Sequence, residues 1–183
     1  MSASHSADYD VIAVGAGFAG ISLSYHLREA GFNVKVFDRA SDVGGTWAWN
    51  KYPGAATDSE SYYYCLTFSK EVLQEWSWSK RYSGWEETQS YLKFVMDKFA
   101  LWPMFQLSTE VESAAFDKAT GLWNVRTGDG QTHTAKYFVS AMGMISQPVL
   151  PNIPGQDRFN GPIFHSSRWP EGLDVAGKRV GII

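Results

Sequence analysis

The stretch YDVIAVGAGFAGISLSYHLREAGFNVKVFD, residues 9–38, decides the fold. Residues 9–14 are a nearly continuous apolar run that ends in glycine, the pattern of a strand in a parallel sheet covered on both faces. Helical spacing follows over 18–30, with Ile21, Leu23, Leu27 and Ala30 along one apolar side and Gly31 as a C-terminal stop. A second strand is predicted over 33–38. Strand, helix and strand in about thirty residues make a βαβ unit.

Gly15, Gly17 and Gly20 form G-x-G-x-x-G between the first strand and the helix. Gly15 permits a tight turn, Gly17 lets backbone N–H groups approach a diphosphate, and Gly20 lets helix and strand pack closely. The helix N-terminus then faces the phosphates. Asp38 closes the second strand, where an acid accepts hydrogen bonds from a ribose diol. A 2′-phosphate ~4 Å from that carboxylate would be repelled by up to about 4 kcal/mol at an effective dielectric near 20. NADP is therefore a poor occupant of this site, which leaves FAD or NAD. The competing reading is that Asp38 only starts a turn before Ala40 and Ser41.

Beyond Asp38, residues 39–85 are rich in Gly, Ser, Tyr and Trp without a clean period, which predicts a long ordered excursion carrying function. A second glycine pair, Gly44-Gly45, allows the backbone to pass close to another part of a ligand. A helix is predicted over 86–100 from Tyr91, Phe94, Val95 and Phe99. Strands near 105–116, 121–127 and 131–139, with turns at Gly121 and Gly128-Asp129-Gly130, predict a small antiparallel meander. From 147 to 170 five prolines stiffen the chain into a linker. Residues 177–183 read as the opening of another buried strand.

The 183 residues suffice for one domain and the edge of a second. A hydrophobic content of 44% and a charged content of 19% exclude an intrinsically disordered chain. A net charge of −3 without a basic run argues against nucleic acid as a partner. One cysteine, Cys65, excludes an internal disulfide and a cysteine-based metal cluster, and no metal site is expected. The start MSASHSADYD has no apolar signal core and no stretch approaches the ~18 apolar residues of a membrane span, so a cytoplasmic location without membrane partners is the expectation. Six of the eight tryptophans lie between Trp47 and Trp102. They read as a heavy core or as walls for a large flat ligand.

Joined together, GAGFAG, DVGGTWAWNKYPGAATDSES, YYYCLTFSKEVLQEWSWSKRY and the F-x-G-x-x-x-H-x-x-x-W-P pattern of Phe159, Gly161, His165, Trp169 and Pro170 carry a resemblance. Over residues 9–183 the chain resembles the FAD-containing Baeyer–Villiger monooxygenases. The resemblance implies an α/β fold: a Rossmann-like FAD-binding domain with a parallel sheet and a small antiparallel meander, a linker, and the first strand of a second Rossmann domain that binds NADPH. The implied boundaries are a disordered tail over 1–8, the FAD domain over 9–147, the linker over 148–176 and the start of the NADPH domain over 177–183. The remaining C-terminal part of the enzyme would be the partner of this chain.

The implied activity is NADPH- and O₂-dependent conversion of a ketone to an ester or lactone through a flavin peroxide, which this segment alone would not perform. The alternatives are a flavin-binding module without turnover and a sibling flavin N- or S-oxygenase. By resemblance, Gly15, Gly17, Ala19, Gly20, Asp38, Gly45, Thr46, Trp47, Trp49, Tyr52, Asp58, Tyr64 and Val111 bind the cofactor. Asp58 is also the implied catalytic residue, orienting an arginine that the family places beyond residue 183; otherwise it caps a turn. Phe159, Gly161, His165 and Trp169 are implied to couple domain motions, with Phe159 and Trp169 as anchors, a tight bend at Gly161, and His165 bonding across the junction or serving as an ordinary linker histidine. Two departures stand out: Asp38 replaces a more usual glutamate, and Ala56-Thr57 replace a basic residue and a cysteine.

Overall fold

The structure is a computed structural model that describes residues 6–183. Strand β1 (Tyr9–Val14), helix α1 (Phe18–Glu29) and strand β2 (Val34–Phe37) realise the predicted βαβ unit. Strands β1 and β2 pair in parallel. Gly31, at φ +83°, lies just past the helix and donates to the Arg28 carbonyl, as a C-terminal glycine does. Of the expected tail over 1–8, residues 1–5 lie outside the described residues. Asp8 is not loose: its carboxylate accepts from the Thr134 N–H at 2.7 Å and the Thr134 hydroxyl at 2.8 Å.

In the predicted meander three strands were expected and four form. The candidate near 105–116 divides into β3 (Phe105–Gln106), parallel to β2, and β4 (Val111–Asp117), antiparallel to β5 (Leu122–Thr127). Between them the backbone turns at Ser108, φ +52°, and crosses from one edge of the sheet to the other, so one extended run could not continue. Strand β6 (Thr132–Ser140) is antiparallel to β5 and parallel to β1. The meander is thus continuous with the parallel strands in one six-stranded sheet of order β3-β2-β1-β6-β5-β4.

Alternation along the strands separates two packing faces. Val11, Ala13, Val34 and Val36 meet Leu23 and Leu27 of α1, whereas Ile12 and Phe37 pack with Val125 and Ala135. Beside the sheet lie α2 (Thr46–Trp49), α3 (Lys70–Glu75) and α4 (Trp85–Lys98). Helix α4 carries Tyr91, Leu92, Val95 and Met96 into a core shared with Ile21, Val43 and Leu66. The Tyr91 hydroxyl accepts from the buried Leu66 N–H at 2.7 Å, and burial pushes its phenol up to about 12. Trp76 and Trp78 pack on Tyr91, so this part of the tryptophan excess is core.

After β6 the chain has only two 3₁₀ turns, Gln156–Arg158 and Ser166–Arg168. The strand expected over 177–183 does not form, and Val180, Ile182 and Ile183 are exposed. An apolar run needs a neighbouring strand to satisfy its backbone, and no described strand lies beside it.

Candidate functional site

Parallel strands β1, β2 and β6 end on the same side of the sheet, and the segments that follow them line one cavity of about 480 Å³. Its wall includes Gly15, Gly17, Phe18 and Ala19 after β1, Asp38 and Arg39 after β2, and 140–143 with 145–147 at the end of β6. Gly44, Gly45, Thr46, Trp47, Trp49, Asn50, Tyr64, Glu110, Val111 and Ser167 complete it. Clefts at the carboxyl ends of parallel strands are where α/β sheets bind ligands.

The glycines are fixed by backbone crowding. A Cβ on Gly20 would overlap the Gly15 carbonyl oxygen, and one on Gly15, itself at φ +117°, would overlap the Ala141 carbonyl. Gly17 and Gly45 face each other: a Cβ on Gly45 would lie 2.9 Å from the Gly17 Cα. The second glycine pair therefore packs against the first loop, a role the sequence reading assigned to ligand approach alone. Gly44 N–H donates to the Ala16 carbonyl at 2.9 Å, and Gln89 of α4 donates to the Val43 carbonyl at 2.8 Å. Lys93 pairs with Asp42 at 2.5 Å. Helix α4 thus holds the second loop against the first.

Asp38 braces the same loop. Its two carboxylate oxygens accept from the Ala16 N–H at 2.6 Å and the Ala40 N–H at 2.7 Å. The N-cap of helix α1 is Gly17, which has no side chain to cap it, and the first turn has no acid. Opening-turn N–H groups of a helix lack intrahelical partners, so Phe18 and Ala19 bring donors and the positive dipole end to the cavity wall.

The opposite wall is aromatic. The Trp47 indole N–H donates to the Tyr64 hydroxyl at 3.2 Å, the two rings meet edge-on at 5.7 Å, and Tyr64 meets Phe18 at 4.9 Å. The Trp49 ring has the Arg39 guanidinium at 5.4 Å and that of Arg168 at 4.1 Å from its centroid. Burial, and next the neighbouring Arg39, pull the Arg168 guanidinium below its ordinary value.

Gly20 lies behind the wall as a packing residue, and Tyr52 and Asp58 lie outside it. Asp58 is exposed, because a bridge between Ala56 and Gly84 and the Thr57 N–H bond to Ser83 turn Thr57 inward and Asp58 outward. The 159–169 motif also departs from expectation. Phe159 is exposed rather than anchored, and its ring covers Gly161, where the chain bends as expected though without a left-handed backbone. His165 bonds within its own turn, its Nδ1 accepting from the Ser167 N–H at 3.1 Å, because a histidine starting a 3₁₀ turn meets that N–H first. Trp169 packs edge-on to Phe164.

The sequence reading missed the wall formed by 140–143 and 145–147, together with Val14, Phe18, Arg39, Asn50, Glu110 and Ser167. Only the parallel pairing of β6 with β1, which no local signal reveals, points to the first of these.

Residues 14–76 match the family model described as an NAD(P)-binding Rossmann-like domain. A Baeyer–Villiger monooxygenase of Pseudooceanicola batsensis is 47% identical over 97% of this chain and 33% of its own. A phenazine N-monooxygenase of Lysobacter antibioticus is 47% identical over 96% of this chain and 32% of its own. The crystal structure of cyclohexanone monooxygenase from Rhodococcus sp. Phi1 bound to NADP⁺ superposes with a TM-score of 0.87 at 41% identity, covering 91% of this chain and 32% of that one. Over the matched span the chain is similar to Baeyer–Villiger and related flavin monooxygenases. It spans about a third of the length of the curated relatives it matches. Among the described residues no helix is long and apolar enough to cross a membrane, and no cluster of metal-ligating side chains is found.

Proposed function

We propose that the chain forms the FAD-holding part of a flavin-dependent monooxygenase of Baeyer–Villiger type, which uses NADPH and O₂ on ketones and works with further protein beyond the described fold. The observation that carries this reading is the single cavity. It joins an uncapped helix start, the Asp38 carboxylate and an aromatic wall of Phe18, Trp47 and Tyr64. These suit, in turn, a diphosphate, a ribose and a planar ring system.

The residues present fit FAD. The opening turn of α1 supplies N–H donors for a diphosphate, and the second lone pairs of the Asp38 oxygens accept from ribose hydroxyls. Because the Trp47 N–H occupies one lone pair of the Tyr64 oxygen, the Tyr64 O–H remains a donor toward the cavity. Edge-on aromatic packing keeps that wall dry. FAD, when bound, supplies the redox and oxygen chemistry that side chains lack. Asp58, exposed and outside the cavity wall, is available to orient a cation from elsewhere in the enzyme. We further assign 9–147 to the flavin domain, 148–176 to a linker whose 159–169 motif couples domain motions, and 177–183 to the next domain, in a cytoplasmic enzyme.

Relatives named for N-oxygenation and for Baeyer–Villiger chemistry match equally well, so substrate choice is not written in the overall identity of this segment. Titration of the complete enzyme with FAD, followed by visible absorbance, tests the cofactor. Oxygenated product from a ketone in the presence of NADPH tests the reaction. Absence of FAD binding overturns the reading.

A further inference from the structure

The 159–169 motif reaches the cavity through positions that its pattern leaves free. Ser167 is buried in the cavity wall, and the next residue, Arg168, lays its guanidinium 4.1 Å from the centroid of Trp49, a second wall residue. At the other end of the linker, Arg39 donates to the Ser146 carbonyl at 2.5 Å while its guanidinium lies 5.4 Å from the same Trp49 ring. Among the described residues neither arginine has a carboxylate within ion-pair distance. Charge pairing therefore does not explain their convergence, and the indole face does.

We propose that Trp49 is a latch plate on which Arg39 and Arg168 pin the two ends of the linker, making Arg168 a positioning residue that holds Ser167 in the cavity wall and slows ligand release. The guanidinium is planar and weakly hydrated, so it stacks on an indole with little desolvation penalty. An exposed pair of this kind is worth about a two- to fivefold change in an opening equilibrium. His165 contributes by holding the turn that presents Arg168, whose N–H bonds to the His165 carbonyl at 2.8 Å. The latch concerns these contacts alone and stands whichever dinucleotide occupies the cavity.

The test is amide hydrogen exchange of the intact protein without added ligand, read on peptides covering 143–170. Arg168→Ala accelerates exchange there about two- to fivefold. Arg168→Lys, which keeps a cation on the ring, restores most of the protection. Trp49→Phe combined with Arg168→Ala accelerates exchange by less than the product of the two single effects, since both act on the Arg168 contact while only Trp49→Phe also weakens that of Arg39. Unchanged exchange in Arg168→Ala, equal acceleration in both Arg168 variants, or fully additive double-variant behaviour overturns the latch. On the holoenzyme, Arg168→Ala releases flavin faster by a similar factor, and an unchanged release rate also overturns it. A wild-type protein that binds no flavin defeats the proposed function instead and leaves the exchange result to decide the latch.

Discussion

The glycine loop at 15–20 and the linker motif at 159–169 are both spaced runs of glycine and aromatic residues, yet opposite forces hold them. In the first, each glycine is demanded by another backbone: Gly20 by the Gly15 carbonyl, Gly15 by Ala141, and Gly17 by Gly45. In the second, Gly161 meets only the movable ring of Phe159, Phe159 is 62% exposed, and the firm contacts come from Ser167 and Arg168. A motif built on backbone crowding declares its geometry within one strand-turn-helix. A motif on a linker is shaped by what the linker touches, so its lettering says little about its structure.

The sharpest way to break this contrast is to place the same methyl in both motifs. Gly20→Ala forces α1 away from β1 and is expected to destabilise the protein by about 3–5 kcal/mol. Gly161→Ala only turns aside a flexible ring and changes stability by less than about 0.5 kcal/mol. Urea unfolding of both variants measures the difference, and equal losses erase the distinction.

Asp38→Ala removes two charge-assisted bonds to the glycine loop and the predicted ribose acceptor. Flavin affinity is expected to fall about ten- to a hundredfold, measured by fluorescence titration. Asp38→Asn should do nearly as much harm, since its amide oxygen can accept from only one of the two N–H groups and its NH₂ meets the other donor to donor.

A smaller effect comes from pH. Hydrogen bonds from Thr134 hold Asp8 below its ordinary value of 3.8, and the Lys136 ammonium does the same for Asp10. Both folded values are depressed, so the stability they add is present above 3.8 and is lost as pH falls through the folded values. Thermal melts of Asp8→Asn should lose part of the wild-type acid sensitivity below that point, while the linker, which these acids do not touch, exchanges amides at an unchanged pattern. A modest effect is also expected from His165→Ala, which removes a local cap; unfolding stability should shift by about 0.5–1 kcal/mol at most.

The βαβ unit was legible because its signals are local: an apolar run, a glycine turn, and three- and four-residue spacing. Most of the cavity wall followed from the residues beside those signals. Helix α2 was not legible, since a single turn of Thr46–Trp49 is too short to show a period and begins at Gly45, a residue that disfavours helices. Strand β3 was merged with β4 because two residues carry no alternation of their own. Asp58 was assigned to the site by resemblance, whereas its outward direction depends on the Ala56–Gly84 bridge, a pairing across 28 residues that no spacing announces.

Strand β6 belongs to two ladders at once, antiparallel on one side and parallel on the other, and it runs directly into the 140–147 wall. Held in register on both sides, that strand cannot slip along its axis without breaking two ladders, so the rim of the ligand chamber has a fixed footing whose far end is the hairpin around Gly128–Gly130.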